Sequence, residues 1–174
     1  MKMTRRLFLA CAMFIASAFC TYAQQTLPSV DVKTLDGKTV NAKDFSNEGK
    51  PFVVTFWATW CKPCLMELNT IAENYEDWQN ETGVKVYAVS IDDSRTQSKV
   101  SPLVNSSEWE FEVLLDGNSE LKRAMGVNNP PHCFVVNGKG EVVWQHVGFA
   151  PGDESHLLEE IKRSEEHTSE LQSP

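Results

Sequence analysis

The stretch FWATWCKPC, residues 56–64, decides the fold, because a buried strand turns there directly into a helix that carries two cysteines. Phe52 to Trp57 is an unbroken run of apolar and β-branched residues, which predicts a strand buried on both faces. Mainly apolar residues then recur at helical spacing at Cys64, Leu68, Ile71, Tyr75 and Trp78. Cys61 and Cys64 are therefore expected at the start of that helix.

This position favours redox chemistry at the two cysteines. The reactive form of cysteine is the thiolate, and the unpaired N–H groups and positive dipole of a helix N-terminus stabilise it. We expect Cys61 to be the exposed nucleophile. Cys64, one turn inside the helix, is expected to be the resolving thiol that displaces a mixed disulfide. Lys62 would add a mild stabilisation of the thiolate.

Half of a zinc site is the alternative interpretation of the C-x-x-C motif. Zinc takes four ligands, and His132 and Cys133 are the candidates to complete the set. Adjacent residues of a strand point to opposite faces, so both could hardly bind one metal. The sequence therefore predicts neither a metal nor another cofactor.

The remaining segments predict an α/β fold. Residues 30–40 form a predicted hairpin around an Asp36-Gly37 turn, and Gly83 is expected to end the first helix. Further strands are predicted at 84–91, 111–115, 133–136 and 142–146, and further helices at 95–105, at 120–125 and after a cap at Asp153. The expected architecture is a mixed central sheet with helices on both faces, an N-terminal β-hairpin and an inserted αβ segment.

The first 23 residues have the pattern of a signal peptide. Basic residues at positions 2, 5 and 6 precede an apolar run from Leu7 to Cys20, and small residues then predict cleavage before Gln24. The run of 14 residues is shorter than the roughly 20 that a transmembrane helix needs. We expect export to the periplasm, with an uncleaved membrane anchor as the alternative.

Cleavage would leave three of the five cysteines, Cys61, Cys64 and Cys133. An odd number, with two in C-x-x-C, favours a redox pair and one extra thiol over a disulfide-stapled scaffold. The net charge of −8, with no long basic block, argues against a nucleic-acid partner.

The last residues are expected to be non-native. Residues 163–174 resemble the translation of a common sequencing adapter. The helical apolar spacing of Leu157, Leu158 and Ile161 is also followed by polar Ser164. The predicted domain is therefore 24–162.

Taken together, residues 56–64, the hairpin, the insert and the Pro131-x-x-Phe134 motif closely resemble thioredoxin-like proteins of the TlpA and ResA type, including those of Bacteroidetes. The likeness extends over most of 26–162. It implies disulfide reduction in the periplasm, with disulfide-containing exported proteins as substrates and a membrane thiol carrier of the DsbD or CcdA kind as electron donor. Peroxiredoxins share this fold, but their P-x-x-x-T-x-x-C pattern would need proline at position 54 and threonine at position 58, where Val54 and Ala58 stand.

Glu67 matches the active-site glutamate of this family. It follows Cys64 by three residues on the same flank of the helix, beside an apolar face. Such a carboxyl should have a raised pKa and could exchange protons with Cys64. Thioredoxin itself has a buried aspartate in the preceding strand, where this chain has Thr55. A solvated surface glutamate is the alternative.

Pro131 matches the family's cis-proline, which lies against the two cysteines and places its neighbour's backbone beside the substrate. Pro130 departs from the family and has no N–H to donate to a peptide. The resemblance implies a substrate surface formed by these two prolines with Trp60, Lys62 and Pro63. Cys133 shares a strand face with Pro131 and is expected to be a buried, inert thiol.

The sequence thus predicts an exported reductase of protein disulfides. The C-x-P-C motif resembles reducing members, and no histidine lies between the cysteines to stabilise the thiolates as in strong oxidants. A disulfide oxidase or isomerase is the alternative within the class. A copper or zinc metallochaperone is the alternative outside it.

Overall fold

The computed structural model describes residues 25–170, so the predicted signal peptide lies outside the described residues. Within 25–170 no helix is both long and apolar enough to cross a membrane. The strands are β1 Asp31–Thr34, β2 Thr39–Asn41, β3 Phe52–Trp57, β4 Lys85–Ser90, β5 Glu112–Leu115, β6 His132–Val136 and β7 Val142–Val147. The helices are α1 Lys62–Thr82, α2 Val100–Ser107, α3 Glu120–Ala124 and α4 Asp153–Glu170.

The strands form one mixed sheet in the order β2-β1-β5-β4-β3-β6-β7. β3 lies inside this sheet, parallel to β4 and antiparallel to β6. All six residues of β3 are buried, which confirms the strand predicted from its apolar run. The predicted α/β class is likewise confirmed.

Helix α1 follows the carboxyl end of β3 after the four residues 58–61. It buries the predicted stripe of side chains and ends at Gly83, which has the left-handed φ of 66°. Helix α4 packs against α1 and β6 and buries Leu157 and Ile161. It continues through Ser164 to Glu170. The origin of residues 163–174 stays a prediction.

Two helix starts differ from expectation. The segment predicted as a helix from Arg95 begins instead with a turn, because the Asp93 carbonyl accepts hydrogen bonds from the N–H groups of Thr96 and Gln97. A 3-10 turn over Gln97–Lys99 leads from it into α2. Asp153 is the first residue of α4 rather than its cap, and its carboxylate accepts a 2.8 Å hydrogen bond from the N–H of Ala150.

Candidate active site

The two cysteines of the C-x-x-C motif form a disulfide at the start of α1, with 5.3 Å between their Cα atoms. Cys61 is the N-cap, and its Sγ accepts a 3.3 Å hydrogen bond from the N–H of Cys64. Cys61 has 6% of its surface exposed and Cys64 has none. The expectation of an exposed Cys61 is therefore wrong for this disulfide form, although Cys61 is still the more accessible of the two.

The loop before Cys61 is fastened by a residue that the sequence analysis did not single out. Asp92 is buried after the end of β4, and its carboxylate accepts hydrogen bonds from the Thr59 N–H at 2.8 Å and the Thr59 hydroxyl at 2.6 Å. The Ser90 hydroxyl donates a third bond to it at 2.9 Å. Since β3 and β4 are parallel, their carboxyl ends meet at one sheet edge, and a polar residue directly after β4 was a signal that could have indicated this role.

Glu67 is buried in α1 with 3% of its surface exposed, so the surface alternative is wrong. Its Oε2 accepts a 2.8 Å hydrogen bond from the hydroxyl of Thr55 in β3. Burial raises the pKa of Glu67 from its ordinary 4.5 to about 7, although the Thr55 hydrogen bond works in the opposite direction. The predicted raised pKa is thereby confirmed. The residue at the position of thioredoxin's aspartate is the hydrogen-bond partner of this glutamate.

Cys133 lies directly across from Thr55 in the pairing of β3 with β6. It is a free thiol with only 2% of its surface exposed, which confirms the predicted burial. Burial, with a smaller contribution from the charge of Glu67, raises the pKa of this thiol well above its usual range. Its expected inertness stays a prediction.

The peptide bond between Pro130 and Pro131 is cis, as predicted. Pro131 is buried, and its carbonyl accepts a 2.8 Å hydrogen bond from the N–H of Gly148. It directly precedes His132, which pairs with Phe56 near the end of β3. The two prolines therefore lie at the sheet end from which the chain leads to the cysteines.

His132 and Cys133 point to opposite faces of β6, as predicted. The His132 ring stacks on Phe134 with 4.3 Å between ring centroids, and its Nε2 lies 3.0 Å from the side-chain oxygen of Gln145. Cys133 instead faces Glu67 and α4. Burial lowers the pKa of His132. Among residues 25–165, no cluster of three or more histidine, cysteine or carboxylate side chains suits a metal ion.

Several residues close to the cysteines in sequence have exposed side chains. Trp60 has 59% of its surface exposed and Met66 has 48%, and Lys62 and Pro63 are exposed beside them. Met66 was not singled out from the sequence. Trp57, by contrast, is fully buried and meets the ring of Trp109 edge-on, so it belongs to the core and not to this surface.

Asn69 of α1 connects the helix to a neighbouring segment. Its Oδ1 accepts a 3.0 Å hydrogen bond from Nε1 of Trp109. This bond ties α1 to the chain segment that leads into β5, where the ring of Trp109 contacts those of Trp57 and Phe111.

A cysteine pair at the N-terminus of a helix, a buried carboxyl one turn further on and a cis-proline at the same sheet end define a thioredoxin-like dithiol–disulfide centre. Exchange at such a centre needs a thiolate to attack and a group to take the proton of the second thiol. The Cys61–Cys64 pair and the carboxyl of Glu67 are side chains of the chemical types that such an exchange uses.

The chain belongs to the AhpC/TSA family, whose sequence model matches residues 13–145. It is 33% identical over 121 residues to the thiol–disulfide oxidoreductase ResA of Bacillus thuringiensis subsp. konkukian, covering 70% of this chain and 67% of the relative. It is 27% identical to sporulation thiol–disulfide oxidoreductase A of Bacillus subtilis, over 79% of this chain and 82% of that protein. A solution structure of a thioredoxin-like protein from Porphyromonas gingivalis matches with a TM-score of 0.72 and 46% identity, over 80% of this chain and 92% of that one.

These likenesses confirm the thioredoxin-like resemblance and the enzyme class. The protein is a thiol–disulfide oxidoreductase.

Proposed function

We propose that the protein is an exported reductase of protein disulfides that acts through a mixed disulfide at Cys61. One observation carries this proposal. The buried carboxyl of Glu67, with a pKa of about 7, lies one helical turn from the fully buried Cys64. A carboxyl with that pKa is present in both protonation states near neutral pH, so it can accept a thiol proton and release it again.

The reaction begins with the reduced pair. The Cys61 thiolate attacks one sulfur of the substrate disulfide, a new S–S bond forms to Cys61, and the other substrate sulfur leaves as a thiolate. Cys64 then gives its proton to the Glu67 carboxylate and attacks Sγ of Cys61. The Cys61–Cys64 disulfide forms, the second substrate sulfur leaves as a thiolate, and two electrons have passed from the protein to the substrate.

The surface around Cys61 suits a protein substrate. Trp60 directly precedes Cys61 and exposes its ring, and aromatic anchors of this kind contribute strongly to protein contacts. Pro63 and Lys62 complete the exposed rim, and Pro130 and Pro131 lie at the same sheet end. An extended segment on either side of a substrate cysteine is the ligand that such a surface would accept.

Export and the electron donor are part of the proposal. Residues 1–23 have the signal-peptide pattern, and an exported reductase needs electrons from the membrane because the surrounding compartment is oxidising. A membrane thiol carrier of the DsbD or CcdA kind would restore the Cys61–Cys64 dithiol after each turnover.

The redox state of the pair in living cells tests the direction. Rapid acid quenching followed by alkylation should find Cys61 and Cys64 mainly as the dithiol. A pair that is mainly disulfide at steady state would instead indicate an oxidase.

Trapping of substrates tests the roles of the two cysteines. Cys64→Ser should accumulate mixed disulfides with exported proteins, while Cys61→Ser should trap none. Cys133→Ser is the matched control that should behave as wild type. Stoichiometric metal in the purified reduced protein would indicate the metallochaperone.

A further inference from the structure

A narrow cavity has the buried residue Glu67 in its lining. It lies between α1, β6, β7 and α4, and its lining includes Glu67, Cys133, His146 and Asp153. About 10 Å³ of it is open to the centre of a water molecule. That volume is at the lower limit of what one water needs. Most of the lining is apolar, so the groups that would hold a water are the Glu67 carboxyl and the His146–Asp153 pair.

The outer end of this cavity carries a histidine–carboxylate pair. Nε2 of His146 lies 3.5 Å from Oδ2 of Asp153, and the two side chains have 43% and 38% of their surface exposed. The strand register explains the placement. Cys133 pairs with Thr55 on one side and with His146 on the other, so the three residues form one row on the sheet face beneath α1 and α4. The row spans two strand spacings, roughly 10 Å, from Thr55 to His146.

Among the groups that face Glu67, one is a candidate to carry its proton. The hydroxyl of Thr55 on β3 contributes a hydrogen bond but no charge. The thiol of Cys133 on β6 has a strongly raised pKa and stays protonated. Helix α4 contributes the carboxyls of Asp153 and Glu154, and β7 contributes His146. His146 is the one nitrogen base among the residues that line the cavity within 25–165.

We propose that His146, supported by Asp153, carries the proton of Glu67 to solvent through this cavity. The inference rests on the proposed function, in which Glu67 receives the proton of Cys64. Protonated Glu67 gives its proton to a water in the cavity, and that water passes a proton to the imidazole of His146. The carboxylate of Asp153 stabilises the imidazolium, which then releases the proton to bulk water. Only O–H and N–H bonds change, no electrons move, and Glu67 is again a carboxylate for the next turnover.

The experiment separates electron transfer from proton release in one turnover. Reduced protein is mixed at about pH 8, above the pKa of Glu67, with 5,5′-dithiobis(2-nitrobenzoate) in weakly buffered solution containing a pH indicator. The aromatic thiols leave as coloured thiolates and take no protons, so the proton of Cys64 must appear in solution. In the wild type we expect proton release to keep pace with the second thiolate.

In His146→Gln the proton of Cys64 should appear in solution with a rate constant about tenfold lower than that of the second thiolate. This is less than the roughly 10²–10⁴-fold that general acid–base catalysis contributes, because Glu67 still accepts the proton from Cys64. Added imidazole should remove the lag. Asp153→Asn should show a smaller lag in the same direction. His156→Gln is the matched control. His156 stacks on the ring of Trp144, as His146 does, but it does not line the cavity. Its proton release should match the wild type.

The outcomes are distinguishable. Synchronous proton and thiolate release in His146→Gln would overturn the proton route and leave the reductase proposal standing, since both thiolates are still released. A lag of equal size in His156→Gln would also overturn it, because the effect would then come from disturbing Trp144. Failure of the reduced wild type to release thiolates at all would overturn both proposals.

Discussion

The hydroxyl of Thr55 donates a 2.8 Å hydrogen bond to Oε2 of Glu67 in the buried space between β3 and α1. This bond favours the charged carboxylate, whereas burial favours the neutral acid, and the pKa of Glu67 settles at about 7. The pKa of this carboxyl therefore depends both on its burial in α1 and on a hydrogen bond from β3.

Thr55→Val should raise the pKa of Glu67 further above its ordinary value. Valine has nearly the shape of threonine but donates no hydrogen bond, so the carboxylate loses its stabilising partner while burial is unchanged. A hydrogen bond to a charged group contributes about 1.5 kcal/mol or more, so the pH–rate profile of disulfide reduction should move to higher pH by about one unit. Thr82→Val is the matched control, because Thr82 is buried but its hydroxyl bonds to the Trp78 carbonyl. An unmoved profile in Thr55→Val would contradict the assigned role.

Glu67→Gln should change the pH dependence of stability in the disulfide form. Because the folded pKa of about 7 is raised above the ordinary 4.5, the wild type has its full stability below about pH 4.5 and loses it as pH rises through 7. Glutamine does not titrate. The unfolding free energy of the variant relative to wild type should therefore rise by about 3 kcal/mol between about pH 4 and pH 8, at 1.36 kcal/mol for each pKa unit.

Denaturant unfolding at several pH values measures this difference. Glu73→Gln is the matched control, since Glu73 is exposed on the same helix. Its difference from the wild type should stay small across the range. If Glu67→Gln ran parallel to the wild type at every pH, a raised pKa at Glu67 would be excluded.

Asp92→Asn should loosen the loop that precedes the cysteines. The carboxylate of Asp92 accepts three hydrogen bonds, and an amide with one oxygen cannot replace them all. We expect a loss of about 1–3 kcal/mol in unfolding free energy together with slower disulfide reduction. Asp93→Asn is the neighbouring control, because Asp93 pairs with Arg95 at the exposed surface, and its loss should be clearly smaller than that of Asp92→Asn. Equal losses in the two variants would reject the special role of Asp92.

Cys133 should resist alkylation while the protein is folded. Its thiol is buried and its pKa is raised, so the thiolate that reacts with iodoacetamide is scarce and shielded. Peptide mass spectrometry of the reduced protein at neutral pH should find the label on Cys61 and not on Cys133. Unfolding in denaturant should expose Cys133 to the same reagent. Labelling of Cys133 as fast as Cys61 in the folded protein would show that it is not inert.

Trp60→Ala should weaken the binding of protein substrates but not the reaction with small disulfides. Loss of this exposed ring should raise KM for a protein disulfide by about tenfold, equivalent to about 1.4 kcal/mol, and leave the rate with a small aromatic disulfide unchanged. Val147→Ala removes another exposed apolar side chain, on β7, and should change neither rate. A matching loss with both kinds of disulfide in Trp60→Ala would place its effect on the chemistry and not on substrate binding.

Most of the fold could be predicted because local signals agree with the tertiary structure. The apolar run at Phe52 marks the buried strand, and Gly83 marks the end of α1 through its positive φ. The helix start near Arg95 was missed because Asp93 forms a competing turn through its own carbonyl and carboxylate. The outcome depends on which local hydrogen bonds are more stable, and residue spacing alone does not determine this.

The site was predictable only where its residues are near one another in sequence. The spacing of Cys61, Cys64 and Glu67 along one helix brings them together. Asp92 follows β4 and His146 lies in β7, and their positions in the structure follow from strand order and register. Neither quantity is contained in the periodicity of a single segment. The resemblance to known proteins indicated Pro131, but composition and spacing did not.

The interior position of β3 has a consequence for the timescale of motion beneath the cysteines. Its backbone amides are protected on both sides by β4 and β6, so their hydrogen exchange should require opening on the scale of global unfolding. The N–H of Thr59, beyond the ladder, donates instead to the carboxylate of Asp92, so its exchange should depend on that contact. The cysteine pair is thus attached to a strand that should not open during a catalytic turnover.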